Sequence, residues 1–238
     1  MPIFALSDEL LFPDPKLAED GLLAVGGDLS TERLVLAYKK GIFPWYNPGD
    51  PILWWSPNPR FVLFPQELKV SKSMRPYLNQ KKYSVTFDSS FEAVIDNCAK
   101  AKRAGQEEDG TWITDDMRAA YIRLHGLGLA HSVEVWKDGE LVGGLYGLAI
   151  GDIFFGESMF ALASNASKFG FIALVRRLGE LGYKLIDCQQ ETSHLGSLGA
   201  RAISIDQFQR FLSENESRGT QVGNWADILD ADLPRKII

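Results

Sequence analysis

Prolines crowd the first sixty residues of the chain and limit what that part can fold into. Seven of the eleven prolines lie between residues 13 and 59, together with three of the six tryptophans. Because proline fixes φ and has no N–H to donate, this stretch cannot be mostly regular helix or sheet. We therefore predict a small Pro/Trp-rich N-terminal domain at residues 1–62, followed by a second domain at residues 63–238.

One helix is predicted in the first part, and alternating patterns follow in the second. Ser30 is a typical N-cap and Gly41 a typical stop for the first helix. The strand patterns lie at residues 83–87, 131–137, 140–150, 152–157, 183–189 and 201–205. The helix patterns follow a capping box of Ser89 and Glu92, the cap Thr114, residue 165 and the cap Asp206.

The order of the elements after residue 62 is β-α-α-β-β-β-α-β, followed by a strand and a helix. This order resembles the acyltransferase fold of the GNAT superfamily. We therefore expect an α+β protein whose second domain holds a mixed, mainly antiparallel sheet flanked by helices. A fold defines a class of sites and does not name a reaction.

Composition indicates a folded protein of a reducing compartment. The chain is 45% hydrophobic and 24% charged, which excludes a disordered scaffold. The first residues lack the basic leader and apolar run of a signal peptide. The most apolar stretch, 141–163, is interrupted by Asp152 and Glu157, and its longest uncharged part, 11 residues, is too short to span a bilayer. Two cysteines make no disulfide framework, so we expect a cytoplasmic protein without a membrane partner.

Charge is unevenly distributed along the chain. The net charge of −6 argues against a general nucleic-acid binder. Between residues 69 and 82, however, five basic residues occur without a single acidic one. This cluster is either a solvated helix face or a surface that contacts an anionic partner on one side of the molecule.

Several familiar sites are absent or weak. The histidines and cysteines show no paired metal-ligand spacing, so no metal is predicted. Gly143, Gly144, Gly147 and Gly151 lack the spacing of a dinucleotide loop. They mark either a strand left bare for an approaching ligand or a bulged and bent strand. The sequence around Ser158 resembles a nucleophile elbow, but Phe160 stands where glycine is needed, which disfavours a serine nucleophile.

Polar residues on two apolar strands are more informative. Asp187 and Gln189 are two residues apart, so a strand would present both on one face. Glu157 ends the preceding predicted strand, which this topology places next to theirs. Polar groups on such strands are costly unless they are hydrogen-bonded. The three residues therefore predict a polar cluster at one mouth of the sheet, either structural or catalytic.

Nine sequence blocks together resemble the leucyl/phenylalanyl-tRNA–protein transferase family. They are GLLAVGGDLS (21–30), AYKKGIFPWY (37–46), ILWWSPNPR (52–60), DGTWIT (109–114), AHSVEVW (130–136), LVGGLYGLAIGDIFFGESMF (141–160), NASK (165–168), LIDCQ (185–189) and HLGSLGA (194–200). The resemblance covers residues 21–212. The WWSPxPR and FFGESMF blocks are the most specific.

The resemblance implies a bacterial, cytoplasmic aminoacyltransferase. Such an enzyme moves leucine or phenylalanine, and methionine less well, from aminoacyl-tRNA to proteins that begin with Lys or Arg. The product carries an N-terminal signal for proteolysis. The acetyl-coenzyme A signature of the GNAT superfamily is missing after Glu157, so the donor is expected to be an aminoacyl ester without coenzyme A or another cofactor.

The resemblance also assigns residues. The active-site positions are Glu157, Asp187 and Gln189. Trp45 and Trp112 match positions associated with the terminal adenosine of tRNA. The apolar pocket for the amino-acid side chain corresponds to Leu145, Phe154, Phe171, Leu174 and Leu178, although the last two could also be ordinary core. Within the basic cluster, Lys72, Arg75, Lys81 and Lys82 are expected to contact tRNA phosphates. Ile205 stands where the family usually has Arg, and Asn58 where Asp is common.

The expected reaction is attack of an α-amine on an activated ester. The pKa of an α-amine is about 8, so part of it is already neutral at pH 7. We expect Gln189 to orient the amine, Asp187 to polarise Gln189 and to be a candidate proton acceptor, and Glu157 to hold an ammonium group of donor or acceptor. Two alternatives remain: a tRNA-dependent aminoacyltransferase acting on cell-wall precursors, and a non-catalytic tRNA-binding module.

Overall fold

The N-terminal part forms a small four-stranded sheet and one helix. The computed structural model describes residues 3–101 and 111–228, so the first two residues of the DGTWIT block lie outside the described residues. The elements are β1 (Phe4–Leu6), β2 (Leu22–Gly26), α1 (Thr31–Lys39), β3 (Phe43–Pro44) and β4 (Leu53–Trp55), with strand order β1-β2-β4-β3. The strands are short, and Pro44 lies on an edge strand, where its missing N–H is tolerated.

The second part is built on a seven-stranded sheet. Its strands are β5 (Arg60–Leu63), β6 (Ser84–Phe87), β7 (Ala130–Lys137), β8 (Glu140–Ile150), β9 (Ile153–Ala161), β10 (Leu185–Asp187) and β11 (Arg201–Ile203), in the order β11-β5-β10-β9-β8-β7-β6. The β9–β10 pair is parallel and the other pairs are antiparallel. The mixed, mainly antiparallel sheet predicted from the element order is therefore confirmed.

Helices flank this sheet on both faces. They are α2 (Arg75–Asn79), α3 (Phe91–Lys100), α4 (Asp115–Gly126), α5 (Ala166–Glu180), α6 (Ser193–Gly196), α7 (Ile205–Glu216) and α8 (Trp225–Ile228). Alternate residues of the strands face opposite cores: Tyr146 and Leu148 pack towards α3 and α4, whereas Leu145 and Ala149 pack towards α5. None of the helices in the described ranges is long and apolar enough to cross a membrane.

Strand β5 joins the two parts. It lies between β10 and β11 of the large sheet, so the boundary predicted after residue 62 falls inside a strand. Val62 belongs to the same apolar core as Trp54 of the small sheet and Tyr146 of the large one. The small sheet therefore shares its core with one face of the large sheet.

Some helix caps follow the prediction and others do not. The side chains of Ser30 and Thr114 cap α1 and α4 as predicted. The predicted Ser89 capping box is wrong, because α3 begins after Ser90 and has no side-chain cap. The carboxylate of Glu134, which is buried, accepts the N–H groups there instead. Ser204, with Gln207, caps α7 in place of the predicted Asp206.

The glycines of β8 and Gly151 in the turn after it are packed against the chain itself. Ala166 lies beside Gly143, Val133 beside Gly144, Phe154 beside Gly147, and Asn215 beside Gly151. The register with β9 also shifts between Tyr146 and Gly147. The interpretation of a bare strand awaiting a ligand is therefore wrong, and that of a bulged strand with close packing is correct.

A Cβ at position 143 should weaken the fold. It would lie 2.7 Å from the Cβ of Ala166 at the start of α5. We expect Gly143→Ala to lower the free energy of unfolding in urea by about 1–3 kcal/mol, as overpacking does. Gly126→Ala is the matched control, because a Cβ there meets nothing within 4 Å. Equal stability of the two variants would contradict this packing.

Candidate active site

A cavity of about 650 Å³ lies where β8, β9 and β10 meet the start of α5 and the loop after β10. We call it the chamber. Its apolar walls include Phe43, Leu145, Phe154, Met159, Phe171 and Ile186, and its polar floor is formed by Glu157, Asp187 and Gln189. Ser158 lies within β9 and not at a strand-to-helix turn, so no nucleophile elbow is formed.

Three neighbours hold the carboxyl group of Glu157. Tyr38 donates a hydrogen bond to Oε1 at 2.7 Å, and Tyr121 donates to Oε2 at 2.9 Å. The amide Nε2 of Gln189 donates to Oε1 at 2.7 Å. The two tyrosine hydroxyls are also in hydrogen-bond contact with each other.

Burial raises the pKa of Glu157 to about 7, and the nearby Asp187 carboxylate contributes to the rise. The hydrogen bonds from the two tyrosines and from Gln189 oppose the rise without cancelling it. Burial and the charge of Glu157 also raise the pKa of Tyr38 and of Tyr121 well above the ordinary value. Among these groups, Glu157 is therefore the one whose charge changes near neutral pH.

Asp187 forms a fully buried ion pair with Arg60. Arg60 Nε lies 2.8 Å from Oδ1 and Nη2 lies 2.6 Å from Oδ2, and both side chains are 0% exposed. The Oδ1 atom also accepts the backbone N–H of Gln189 at 2.9 Å. A proton on Asp187 would leave the buried Arg60 cation without its counter-charge, so the expected role of Asp187 as a proton acceptor does not fit this geometry.

Two aromatic rings enclose the guanidinium of Arg60. Its Cζ lies 4.9 Å from the ring centre of Phe43 in β3 and 4.7 Å from that of Phe208 in α7. Cation–π contacts of this kind are strongest when the cation is desolvated. The ion pair thereby fastens the small sheet, the large sheet and a late helix to one another.

Gln189 adopts a left-handed backbone conformation with φ of 62°. The predicted strand 183–189 is shorter than expected and ends at Asp187, so Asp187 and Gln189 do not share a strand face. The turn instead lets the Gln189 side chain reach Glu157 while the backbone N–H of Gln189 donates to Asp187. Such a conformation costs a non-glycine residue about 1–3 kcal/mol, and the Asp187 contact supports it. Asp187 thus positions the backbone of Gln189, whereas the side-chain amide of Gln189 is hydrogen-bonded to Glu157.

The other residues expected at the site are placed as follows. Trp45, which is 37% exposed, and Trp112, which is buried, both line the chamber. Leu145, Phe154 and Phe171 also line it. Leu174 and Leu178 do not line the chamber: both are fully buried in the core between α5 and the sheet, further along the helix than Phe171.

The basic cluster is exposed and lies outside the chamber. Lys72, Arg75, Lys81 and Lys82 are all exposed, and Lys82 Nζ lies 4.3 Å from the ring centre of Tyr77. The only helix in this stretch is the five-residue α2. The cluster therefore extends over loops and one short helix, so it is not the face of a regular helix.

Three residues central to the site escaped the sequence analysis. Tyr38 and Tyr121 lie on α1 and α4 and were not predicted as site residues, yet their hydroxyls hold Glu157. Arg60 begins the apolar strand RFVL, where a charged residue is costly unless it is paired. A charged residue at the start of an apolar strand could therefore have been used to predict a buried partner of opposite charge.

Ile205 and Asn58, the two residues expected to depart from the family pattern, contact each other. The backbone N–H of Ile205 donates to the side-chain oxygen of Asn58 at 3.2 Å. This contact joins the start of α7 to the residue that precedes Pro59 and Arg60. The substitutions thus belong to one local arrangement beside the ion pair, and neither residue lines the chamber.

The fold and the site together define a class. An apolar chamber whose lining includes a carboxyl group and a side-chain amide, set in a mixed sheet flanked by helices, has the apolar walls and the few polar groups of a small-molecule site. Sequence comparison gives the family. Residues 62–213 match the model described as "Leucyl/phenylalanyl-tRNA protein transferase", and residues 27–58 match the model of its N-terminal domain. The chain belongs to the leucyl/phenylalanyl-tRNA–protein transferase family.

Curated relatives agree with the family models. A leucyl/phenylalanyl-tRNA–protein transferase of Syntrophobacter fumaroxidans is 58% identical over 216 residues, which cover 90% of this chain and 92% of the relative. One from Pseudomonas entomophila is 59% identical over 211 residues, covering 87% and 92%. Among solved structures, a GCN5-related N-acetyltransferase from Kribbella flavida matches at 13% identity and a TM-score of 0.37, covering 71% of this chain and 60% of that one.

The buried ion pair should be indispensable for stability. Asp187→Asn leaves the Arg60 charge without a counter-charge, so we expect the free energy of unfolding to fall by about 3–5 kcal/mol. The matched control is Glu67→Gln, which breaks an Arg201–Glu67 fork of similar geometry on the surface. There we expect a loss below about 1 kcal/mol. Equally small losses in both variants, measured by urea denaturation, would show that the buried pair does not support the fold.

Proposed function

We propose that this protein transfers leucine or phenylalanine, and methionine less well, from aminoacyl-tRNA to the N-terminal α-amine of proteins. Acceptors begin with Lys or Arg, and the product is marked in the cytoplasm for N-degron proteolysis. The observation that carries this proposal is the hydrogen-bonded pair of Glu157 and Gln189 on the floor of an apolar chamber. It combines a group that titrates near neutral pH with space for an uncharged side chain.

The donor is held at two places in the chamber. Trp45 and Trp112 bind the terminal adenosine, for which aromatic rings offer stacking surfaces. Leu145, Phe154 and Phe171 surround the amino-acid side chain. Polar or charged side chains lose hydration there without gaining partners. Side chains branched at Cβ bring bulk close to the reacting carbonyl group and are disfavoured.

Glu157 serves as the proton carrier. The acceptor amine attacks the ester carbon, a C–N bond forms, and the proton of the amine passes to Glu157. The protonated carboxyl group then delivers this proton to the ribose oxygen as the C–O bond breaks. A pKa of about 7 suits both transfers, because a general acid–base catalyst is most effective near the working pH. Gln189 orients the amine, and the Arg60–Asp187 pair keeps Gln189 in place.

Carboxylates near the chamber favour a cationic acceptor. Glu157 lies on the floor, and the exposed Glu191 lies between two lining residues, Gln190 and Thr192. A peptide that begins with Lys or Arg brings a positive side chain next to its α-amine. Attraction between opposite charges at the chamber mouth therefore supports Lys and Arg over neutral residues.

The basic cluster supplies contacts to the tRNA body. Lys72, Arg75, Lys81 and Lys82 are exposed and lie in a stretch without acidic residues. Contacts of such residues to phosphates are salt-dependent and independent of base sequence. This fits an enzyme that recognises the charged end of several tRNAs. The donor is the aminoacyl ester itself, without coenzyme A.

A transfer assay tests the proposal directly. Radiolabelled phenylalanine is supplied on tRNA, together with matched peptides that begin with Arg, Lys, Ala or Glu. We expect transfer to the Arg and Lys peptides and little to the other two. Glu157→Gln should slow single-turnover transfer about 100-fold or more, because it removes the acid–base group. The absence of transfer to every peptide by the wild-type protein would refute the function.

A further inference from the structure

The C-terminal segment returns to the large sheet after α7 and places Trp225 on it. This residue lies beyond residue 213, where the match to the family model ends. Its side chain is only 1% exposed. Its backbone N–H donates to Asp88 Oδ2 at 2.8 Å. A tryptophan anchored in this way at both backbone and ring has little freedom to move.

The Trp225 indole lies on a rigid polar support. It stacks on the imidazole of His131, with ring centres 3.9 Å apart and planes 5° from parallel. His131 Nδ1 is in turn 2.8 Å from Asp88 Oδ2, and Asp88 Oδ1 accepts the backbone N–H of Ser132 at 2.8 Å. Asp88 therefore fixes both members of the stack.

The same indole contacts a wall of the chamber. Its ring centre is 5.8 Å from that of Phe154, which lines the chamber. The Phe154 ring also packs against the bare backbone of Gly147, where a Cβ would lie 2.6 Å from its Cζ. Gly147 is the register partner of His131, so the glycine, the imidazole and the two large rings form one cluster. Phe154 is thus held by Gly147 and by Trp225.

We propose that Trp225 is a positioning residue that sets the depth of the donor's side-chain pocket by holding Phe154. This inference rests on the proposed function, which places the donor side chain against Phe154. A smaller residue at position 225 leaves a void beside Phe154, and neighbouring side chains collapse into such voids only in part. When the Phe154 ring moves into the void, the chamber becomes deeper. A deeper pocket favours phenylalanine over the shorter leucine.

The test measures kcat/KM for Phe-tRNA and Leu-tRNA with one acceptor peptide. Trp225→Leu should raise the Phe/Leu ratio about tenfold, the scale on which a change of one methylene is discriminated in an apolar pocket. Trp225→Phe keeps an aromatic ring and should shift the ratio in the same direction by about threefold, since a smaller volume is removed. Affinity for uncharged tRNA should stay unchanged in both variants, because the adenosine site is not altered.

Trp54→Leu is the matched control. Trp54 is also a fully buried tryptophan, but it packs on Phe12 and donates to Gly26 in the small sheet, and it does not line the chamber. Its replacement should lower stability without moving the Phe/Leu ratio. A merely structural role of Trp225 would give the same unchanged ratio.

The outcomes separate the two proposals. If wild-type protein transfers neither amino acid, the proposed function fails. If wild-type protein is active but both Trp225 variants keep the wild-type ratio, only the role of Trp225 fails. Should Trp225→Leu not fold, an unchanged ratio in Trp225→Phe alone overturns the inference.

Discussion

The ion pair between Arg60 and Asp187 is the interaction on which the rest of the site depends. Both side chains are removed from water, which costs several kcal/mol per charge unless geometry and further contacts compensate. Here the two-pronged contact, the aromatic rings around the guanidinium and the N–H of Gln189 provide that compensation. The pair also connects β5 to the end of β10, so its formation and the completion of the sheet depend on each other.

The ion pair also positions the polar groups of the chamber. Asp187 holds the backbone of Gln189 in a turn that a free glutamine would seldom adopt. The turn directs the side-chain amide of Gln189 to Glu157, to which two tyrosines also donate hydrogen bonds. The carboxyl group of Asp187 therefore serves the ion pair, and that of Glu157 titrates near neutral pH. The division follows from their surroundings, since only Asp187 has a cationic partner.

Much of the fold was predictable because it follows local patterns. Caps such as Ser30, the alternation in β7 and β8 and the element order after residue 62 all report on neighbours close in the chain. The error at Ser89 arose because Glu134, far away in sequence, accepts the N–H of Ser89, which Glu92 would have accepted in the predicted capping box, and also the N–H of Ser90. Leu174 resembles Phe171 in pattern, yet only the start of α5 reaches the chamber.

The sequence was enough to predict which polar residues form the site, but not which contacts they make with one another. Glu157, Asp187 and Gln189 do meet in one place as predicted, although Asp187 and Gln189 do not share a strand face. The sequence could not reveal that Asp187 contacts the backbone of Gln189 instead of its amide, because this depends on the turn after β10. The pairing of Asp187 with Arg60 depends on strand order, and a single sequence does not specify that order.

We assign proton transfer to Glu157 and a structural role to Asp187 as our proposal. A carbon-13 NMR titration of the glutamate carboxyl groups, with the Glu157 signal identified by its absence in Glu157→Gln, measures the protonation of this residue directly. We predict a midpoint at about pH 7 for Glu157. A midpoint near the ordinary glutamate value of about 4.3 would leave the group charged throughout the working range and would contradict the account.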